Sequence, residues 1–561
     1  MSEQITVAEA VGRTIAALGA SRVFGVVGSG NFYATNALVR AGVPFTAARH
    51  EMGASCMADA YSRATGRVAV VSLHQGCGFT NALTGIGEAA KCHTSILVIT
   101  GDTADGDVTS NFYIDQDAAA RAVGAVPERI YSARTAVRDA ARAFATASLD
   151  RKTVVLSMPI DIQAQTIEWD SRSVPALQER HRPGPSPASV QRVAELLTAA
   201  ERPVFVAGRG AWHAAPEIRS LADRVGALLT TSAAGRGLFA QDDWALDIMG
   251  GFSTDGAAAL IADADLIIAF GAGLNNWTTR SGALLRDKTV VQVDDRLEAL
   301  GWHHPVGVAV LGDTALTAAA VDDALARDDY QSPGYRGAIT PDDVASVRYW
   351  TDQPVVSRAE PDRIDPREMT NRLDAILPAQ RIVIPDGGNF NCYPAAHLKV
   401  PDQFGYCVPL SFQSIGLALS SAIGASIALP DRIAVAGIGD GGFLMSLVEL
   451  DTAVRLGLGI LVVVYNDSAY GAEVHVFEHD TDELSTVQFP ETDIAGIARG
   501  FGCEGVTVRT VDDLARVQRW IDGPRSVPLV VDAKVAKFPS WVLAHAHAVE
   551  ATGADLDAPG A

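Results

Sequence analysis

Short, nearly continuous apolar runs alternate with amphipathic stretches along almost the whole chain. Near the start, Thr6-Val7-Ala8-Glu9 has the form of a capping box, and Val7, Val11, Ile15 and Leu18 recur at helical spacing. Strand-like runs follow at 23–27, 68–73 and 95–100, each closed by a glycine-rich or polar loop, with a helix expected over 52–63. Runs rich in Val and Ile that do not alternate belong to sheets covered on both faces, the pattern of parallel strands joined through helices. The same rhythm returns at 204–207, 266–269 and 290–293, then at 382–384, 433–436, 460–465 and 529–532. Proline-bearing breaks at 181–187 and 327–365 separate the three blocks. The expected fold is therefore α/β, with three consecutive domains of parallel sheets covered by helices, spanning 1–180, 188–330 and 362–548. Residues 551–561 read as a frayed tail.

Composition narrows the function classes. The 45 Lys and Arg against 66 Asp and Glu leave a net charge of −21, which argues against nucleic acid and anionic membranes as partners. One uncharged stretch, 403–430, is long enough to raise membrane insertion. Its Ser411, Gln413, Ser414, Gly416, Ser420 and Ser421 point instead to a small-residue helix packed inside protein. Six scattered cysteines form no CxxC pair, so neither a zinc site nor a disulfide scaffold is expected and a reducing compartment fits. With no basic and apolar leader at the N-terminus, a soluble cytoplasmic protein is expected.

Ligands of open parallel sheets bind beyond the carboxyl ends of strands, which makes polar and glycine residues directly after apolar runs the candidates. Gly439-Asp440-Gly441-Gly442 is the clearest case, with Asp467 27 residues beyond Asp440 at the end of the next run. One strand–helix–strand excursion can bring both acids to one end of one sheet. Two hard oxygen ligands beside a glycine loop suit Mg²⁺ shared with a diphosphate, although a glycine pair also serves a plain tight turn. In the first block Glu51 opens a helix, where the helix dipole alone would also favour an acid. His74-Gln75-Gly76-Cys77-Gly78 directly follows the run 68–73, and His74 there reads either as an acid/base or as a hydrogen-bonded structural residue.

GDGGF, five further residues, EL and TAVR, followed by NDSAYG, resemble the thiamine-diphosphate motif of the acetolactate synthase, benzoylformate decarboxylase and pyruvate decarboxylase superfamily. The similarity covers nearly the whole chain. It implies the thiamine-diphosphate (ThDP) binding fold at both ends, for the pyrimidine and the diphosphate, with a Rossmann-like domain between. By position, Asp440, Asp467 and the backbone carbonyl of Ala469 would hold Mg²⁺, where most relatives have Asn in place of Asp467. Gly439, Gly441, Gly442, Tyr470, Gly471 and the loop holding Gly388 and Asn389 would line the diphosphate. The backbone of Gln413 would meet the aminopyrimidine, and Ile415, 25 residues before Asp440, matches the bulky aliphatic that keeps the cofactor bent, unless it is ordinary core.

Carried over in the same way, Glu51 is the glutamate whose carboxyl acts on the aminopyrimidine N1′. His74 stands where benzoylformate decarboxylase keeps an active-site histidine and acetolactate synthases have a Ser-Gly-Pro-Gly type loop. Glu473, six residues past Asp467, matches a proton-donating glutamate of pyruvate decarboxylase, or is a solvated acid at a helix start. His475, Gln75, Asn276 and Trp277 are weaker candidates. Gly208-Arg209-Gly210 and Gly271-Ala272-Gly273 are thin grounds for a flavin, so FAD stands only as an alternative. The resemblance implies ThDP- and Mg²⁺-dependent decarboxylation or carboligation of 2-oxo acids, with Glu51, His74 and Glu473 as catalytic groups. A 2-hydroxyacyl-CoA lyase, cleavage of a 2-hydroxy ketone and a flavin-linked oxidase share the fold and stay open. An inactive ThDP-binding subunit is disfavoured by the retention of Glu51, Asp440 and Asp467. Relatives build the site between the first domain of one subunit and the third of another, implying a homodimer or homotetramer.

Overall fold

The computed structural model describes residues 3–543. The tail at 551–561 and the last residues of the stretch ending at 548 lie outside the described residues. Three parallel sheets follow one another along the chain. Edge to edge, the first runs Phe45–Ala47, Arg22–Gly25, Ala69–Leu73, Ile96–Asp102, Thr153–Pro159 and Val126–Arg129. The second runs Ala245–Ile248, Leu228–Thr231, Pro203–Ala207, Leu266–Phe270, Thr289–Asp294 and Val308–Leu311. The third runs Arg381–Pro385, Ile433–Gly439, Leu461–Asn466, Leu529–Lys534 and Glu504–Val508. Central strands such as Ala69–Leu73 and Pro203–Ala207 are buried at every position, as both-sided helix cover demands. A small antiparallel pair, Glu3–Thr6 with Thr166–Trp169, ties the N-terminal segment to the end of the first unit.

Local details differ from the sequence pattern in instructive ways. Thr6 does cap the first helix, Val7–Ala17, through the Glu9 N–H at 3.2 Å, but Glu9 does not reach back to complete a box. Its carboxylate pairs with Arg13 and Arg40, because opposite charge outcompetes a neutral amide. The polar break before the third unit contains a real helix, Pro341–Arg348, which Thr340 and Asp343 close with a complete capping box. Pro341 occupies its first turn, where a missing N–H costs nothing.

The first and third units share one core. Helix Glu51–Thr65 of the first crosses helix Ala418–Ala428 of the third, and apolar contacts run on from Val71 and Ile86 to Ile423, Val462 and Val530. Small residues permit this approach: a Cβ on Gly424 would lie 2.1 Å from the Met57 carbonyl oxygen. Of the uncharged stretch 403–430, only Ala418–Ala428 is helical. No helix among the described residues is long and apolar enough to cross a membrane.

Candidate active site

Asp440 and Asp467 sit beyond adjacent parallel strands, Ile433–Gly439 and Leu461–Asn466. Their carboxyls face one another. Burial, and then the facing charge of Asp467, push Asp440 up to about 7. Asp467 is also raised by burial, which the Ala469 N–H at 3.2 Å and the charges of Lys537 and His475 only partly offset. Glycines let the surrounding groups close in. A Cβ on Gly471 would meet Asp467 Oδ2 at 2.2 Å, and one on Gly441 would meet the Tyr470 ring at 2.5 Å. The turn between them is backed by residues 487–489: Tyr470 N–H donates to the Val487 carbonyl, Phe489 N–H to that of Ser468. Among the described residues, no group of three His, Cys, Asp or Glu side chains stands ready to hold a metal. This carboxylate pair therefore needs its remaining ligands from main chain or from a bound molecule.

The loop after Arg381–Pro385 closes the same end of the sheet. Asp386 is fully buried and accepts from the N–H groups of Gly416 at 2.6 Å and Leu417 at 3.2 Å. That fixes the turn carrying Gln413, at φ +60°, and Ile415, whose side chain lies over Gly387. Asn389 holds the segment 538–540 through the Phe538 carbonyl and the Ser540 N–H, while Gly388 takes φ +125°, open to glycine but strained for other residues.

A second group gathers at the carboxyl end of the first sheet. Glu51 begins its helix and accepts at Oε2 from Asn81 Nδ2 at 3.1 Å. His74 follows strand Ala69–Leu73, with Nε2 3.3 Å from Ser29 Oγ, Nδ1 2.9 Å from the Gln75 carbonyl and its ring edge-on to Phe112. Gly78 lies between the two: a Cβ there would meet Glu51 Oε1 at 3.3 Å and His74 Cβ at 3.1 Å. Gln75 is buried against Gly30 and Gly101 with its Oε1 unpaired. Ser29 and Asn81 carry no motif, so only the fold reveals their contacts.

The other candidates lie on two further helices. Glu473 is exposed on helix Gly471–Phe477, while His475, buried on the same helix, faces Glu478 at 3.2 Å. Asn276 and Trp277 open a short helix packed on Gly250 and Gly251 of the second unit. No hydrogen bond among the described residues links Glu51 or His74 to Asp440, Asp467 or the 386–389 loop. One chain thus presents two separate groups of candidate residues.

Residues 5–120 match the N-terminal TPP-binding domain of thiamine pyrophosphate enzymes, residues 190–321 their central domain and residues 386–533 their C-terminal TPP-binding domain. The chain belongs to the thiamine-diphosphate-dependent enzyme superfamily. It is 28% identical over 552 residues to a sulfoacetaldehyde acetyltransferase of Alcaligenes xylosoxydans xylosoxydans, covering 92% of this chain and 91% of that one. A probable 2-ketoarginine decarboxylase of Pseudomonas aeruginosa is 29% identical over 549 residues, covering 94% and 93%. An acetolactate synthase of Bacillus subtilis is 25% identical over 525 residues, covering 92% and 91%.

The donor set of this ThDP-superfamily chain fits the family's cofactor. Two desolvated carboxylates invite a cation, and a cation there leaves room for phosphate oxygens beside glycines that have no side chain to block them. The central glycines have a use of their own. Gly208 and Gly210 press against Gly271, and their N–H groups donate to the carbonyls of Phe270 and Gly271.

Proposed function

We propose that this protein is a ThDP- and Mg²⁺-dependent enzyme that breaks the carbon–carbon bond beside the carbonyl of a small 2-oxo acid. In this reading it releases CO₂ and can pass the remaining acyl fragment to a second carbonyl or other acceptor. The observation that carries the reading is the pair of half-sites: a raised carboxylate pair in a glycine cradle, and Glu51 beside His74 at another sheet's end. Asp440, Asp467 and the Ala469 carbonyl would hold Mg²⁺; Gly388, Asn389, Gly439, Gly441, Gly442, Tyr470 and Gly471 would line the diphosphate, and Gln413 and Ile415 the rings. Bound there, ThDP supplies a carbon nucleophile and a place for the electrons released as CO₂ leaves. Glu51 can carry a proton at Oε1 while Asn81 fixes Oε2. His74, whose Nε2 lies 3.3 Å from Ser29 Oγ, can exchange a proton with a substrate oxygen. Glu473 serves as an acid supplied from the third domain.

For the half-sites to meet, two copies of the chain must pair, so the proposed form is a homodimer or a dimer of dimers. Apolar side chains exposed beside both half-sites support this. Val27, Phe32, Tyr33, Phe112 and Tyr113 flank the first, and Leu444, Met445, Val448, Phe477 and Phe489 flank the second. Six free cysteines suit a reducing cytoplasm.

The test is CO₂ release and acyl-product analysis with ThDP and Mg²⁺ across 2-oxo acids of increasing size, with sulfoacetaldehyde included because named relatives act on it. Release from at least one 2-oxo acid, abolished by Glu51→Gln, is the expected result. Turnover of sulfoacetaldehyde alone would replace the 2-oxo acid reading with acetyl transfer, and no turnover of either would overturn both.

A further inference from the structure

Two buried carboxylates outside both half-sites reach across the junction between the first and third domains. Glu449 opens helix Glu449–Arg455 of the third domain and is almost wholly buried. Its Oε1 accepts from the His50 N–H at 2.9 Å and the Arg49 N–H at 3.1 Å, and its Oε2 from Thr452 Oγ1 at 2.7 Å. Gly53 makes room for it, since a Cβ there would lie 2.4 Å from Oε1. The same helix also grips this segment through Asp451 to Arg49 and Arg455 to the Ala47 carbonyl. The next residue along is Glu51.

The mirror-image contact runs the other way. Glu88, on helix Cys77–Lys91 of the first domain, is equally buried and accepts at Oε2 from the Phe412 N–H at 2.7 Å. Arg63 holds its Oε1 at 2.8 Å and also donates to the Val408 carbonyl at the same distance. Gly87 makes room here, with the Phe412 ring 2.9 Å from where its Cβ would be. The residue after Phe412 is Gln413.

A buried carboxylate that accepts main-chain N–H groups is a costly device. Burial pushes Glu449 above the ordinary carboxylate range despite its three donors. Plain domain packing is served by the apolar core around these contacts. Both acids instead act on the main chain just before a group assigned to the cofactor, Glu449 at Arg49 and His50 and Glu88 at Phe412.

We propose that Glu449 and Glu88 are reciprocal positioning residues. Each domain fixes, by one buried carboxylate, the main chain directly before the other's cofactor-facing residue, so that Glu51 and the Gln413–Ile415 turn keep their places. The inference rests on the reading of Glu51 and Gln413 given above. If sites form between subunits, Glu51 and Gln413 of one chain serve different sites, and the two clamps tie those sites together through the chain's own core.

Amide hydrogen exchange on the cofactor-free full-length protein, read by mass spectrometry, is the first readout. Glu449→Gln should raise exchange over residues 47–52, and Glu88→Gln over 410–416, each without loosening distant strands. The second is the rate of hydrogen–deuterium exchange at C2 of bound ThDP, with cofactor affinity measured by calorimetry. Glu449→Gln should slow C2 exchange by about 10- to 100-fold while leaving affinity near parental, since small misplacements of a reacting group cost that much. Glu449→Asp, which keeps the charge but withdraws it by one methylene, should fall between. Glu88→Gln should chiefly weaken affinity. Parental C2 exchange per bound cofactor in Glu449→Gln, with only lowered stability, would overturn the proposal. Should that variant not fold, Thr452→Val removes one supporting bond and is judged by the same two readouts. Parental exchange in Glu51→Gln would place the failure in the reading of Glu51 itself.

Discussion

Asp386 is a single side chain whose ionisation the fold opposes. It accepts two main-chain N–H groups, yet burial outweighs them and pushes it up to about 7. A carboxyl whose folded pKa lies above its unfolded value contributes its stability below about pH 4 and loses it as pH rises through the folded value. Asp386→Asn keeps an acceptor and cannot ionise. The parent should therefore lose roughly 2–4 kcal/mol relative to this variant between about pH 4.5 and 7.5. Urea unfolding of the cofactor-free proteins at both pH values reads the difference, and parallel pH dependences would refute it. The sequence exposes Asp440, Asp467, Glu51 and His74 because each follows a strand or opens a helix, so order along the chain is enough to place it. Glu449 lies within the recognisable motif, yet its role depends on His50, 399 residues away, and that of Glu88 on Phe412, 324 residues away. No local pattern encodes such separations.

At the level of elements, the crossing of Glu51–Thr65 over Ala418–Ala428 decides how the two cofactor-binding folds sit on each other. Ala at position 424 would gain about 1 kcal/mol of helix propensity. Its Cβ, however, would lie 2.1 Å from a main-chain oxygen that cannot rotate away, and overpacking of this kind costs about 1–3 kcal/mol or more. Gly424→Ala should lower the midpoint of the first denaturant transition by a net loss of about 1–2 kcal/mol. A midpoint equal to the parent's would show that the helices slide apart freely. Fully buried strands are the elements most legible in sequence, since a short, unbroken run of Val and Ile between turn residues suits a strand covered on both faces and little else. Phe45–Ala47 is too short to show a period, and Val126–Arg129, half-buried throughout at a sheet edge, carries Pro and two charges. Pro341 reads as a breaker only while its place in a first helical turn is unseen.

For the whole molecule, the decisive matter is how the two candidate groups, which one chain carries with no hydrogen bond between them among the described residues, come together. Glu51→Gln and Asp440→Ala should each abolish turnover, the first by removing an ionisable carboxyl and the second by removing the proposed metal ligand. Neither strips a large side chain from the core, so both variants should assemble. If each site takes Glu51 from one subunit and Asp440 from its partner, a mixed dimer holds one doubly altered site and one with neither change. Random co-assembly of equal amounts makes half the dimers mixed, so about a quarter of all sites regain the parental set. Co-expression of differently tagged variants, tandem purification of the mixed species and its CO₂ release would measure this directly. Recovery near half the parental activity in the purified mixed dimer is expected. No recovery, with both variants shown to bind ThDP or fold as the parent does, would mean that each chain closes its own site. The exposed apolar faces beside Phe32 and Phe477 would then have to cover each other by movement within one chain. The continuous core between the first and third domains opposes such movement, because separating them would open the crossing of Met57 and Gly424 and its apolar surroundings to water. On the proposed reading, the same core that keeps the two candidate groups apart in one chain makes a second chain the least costly way to complete either of them.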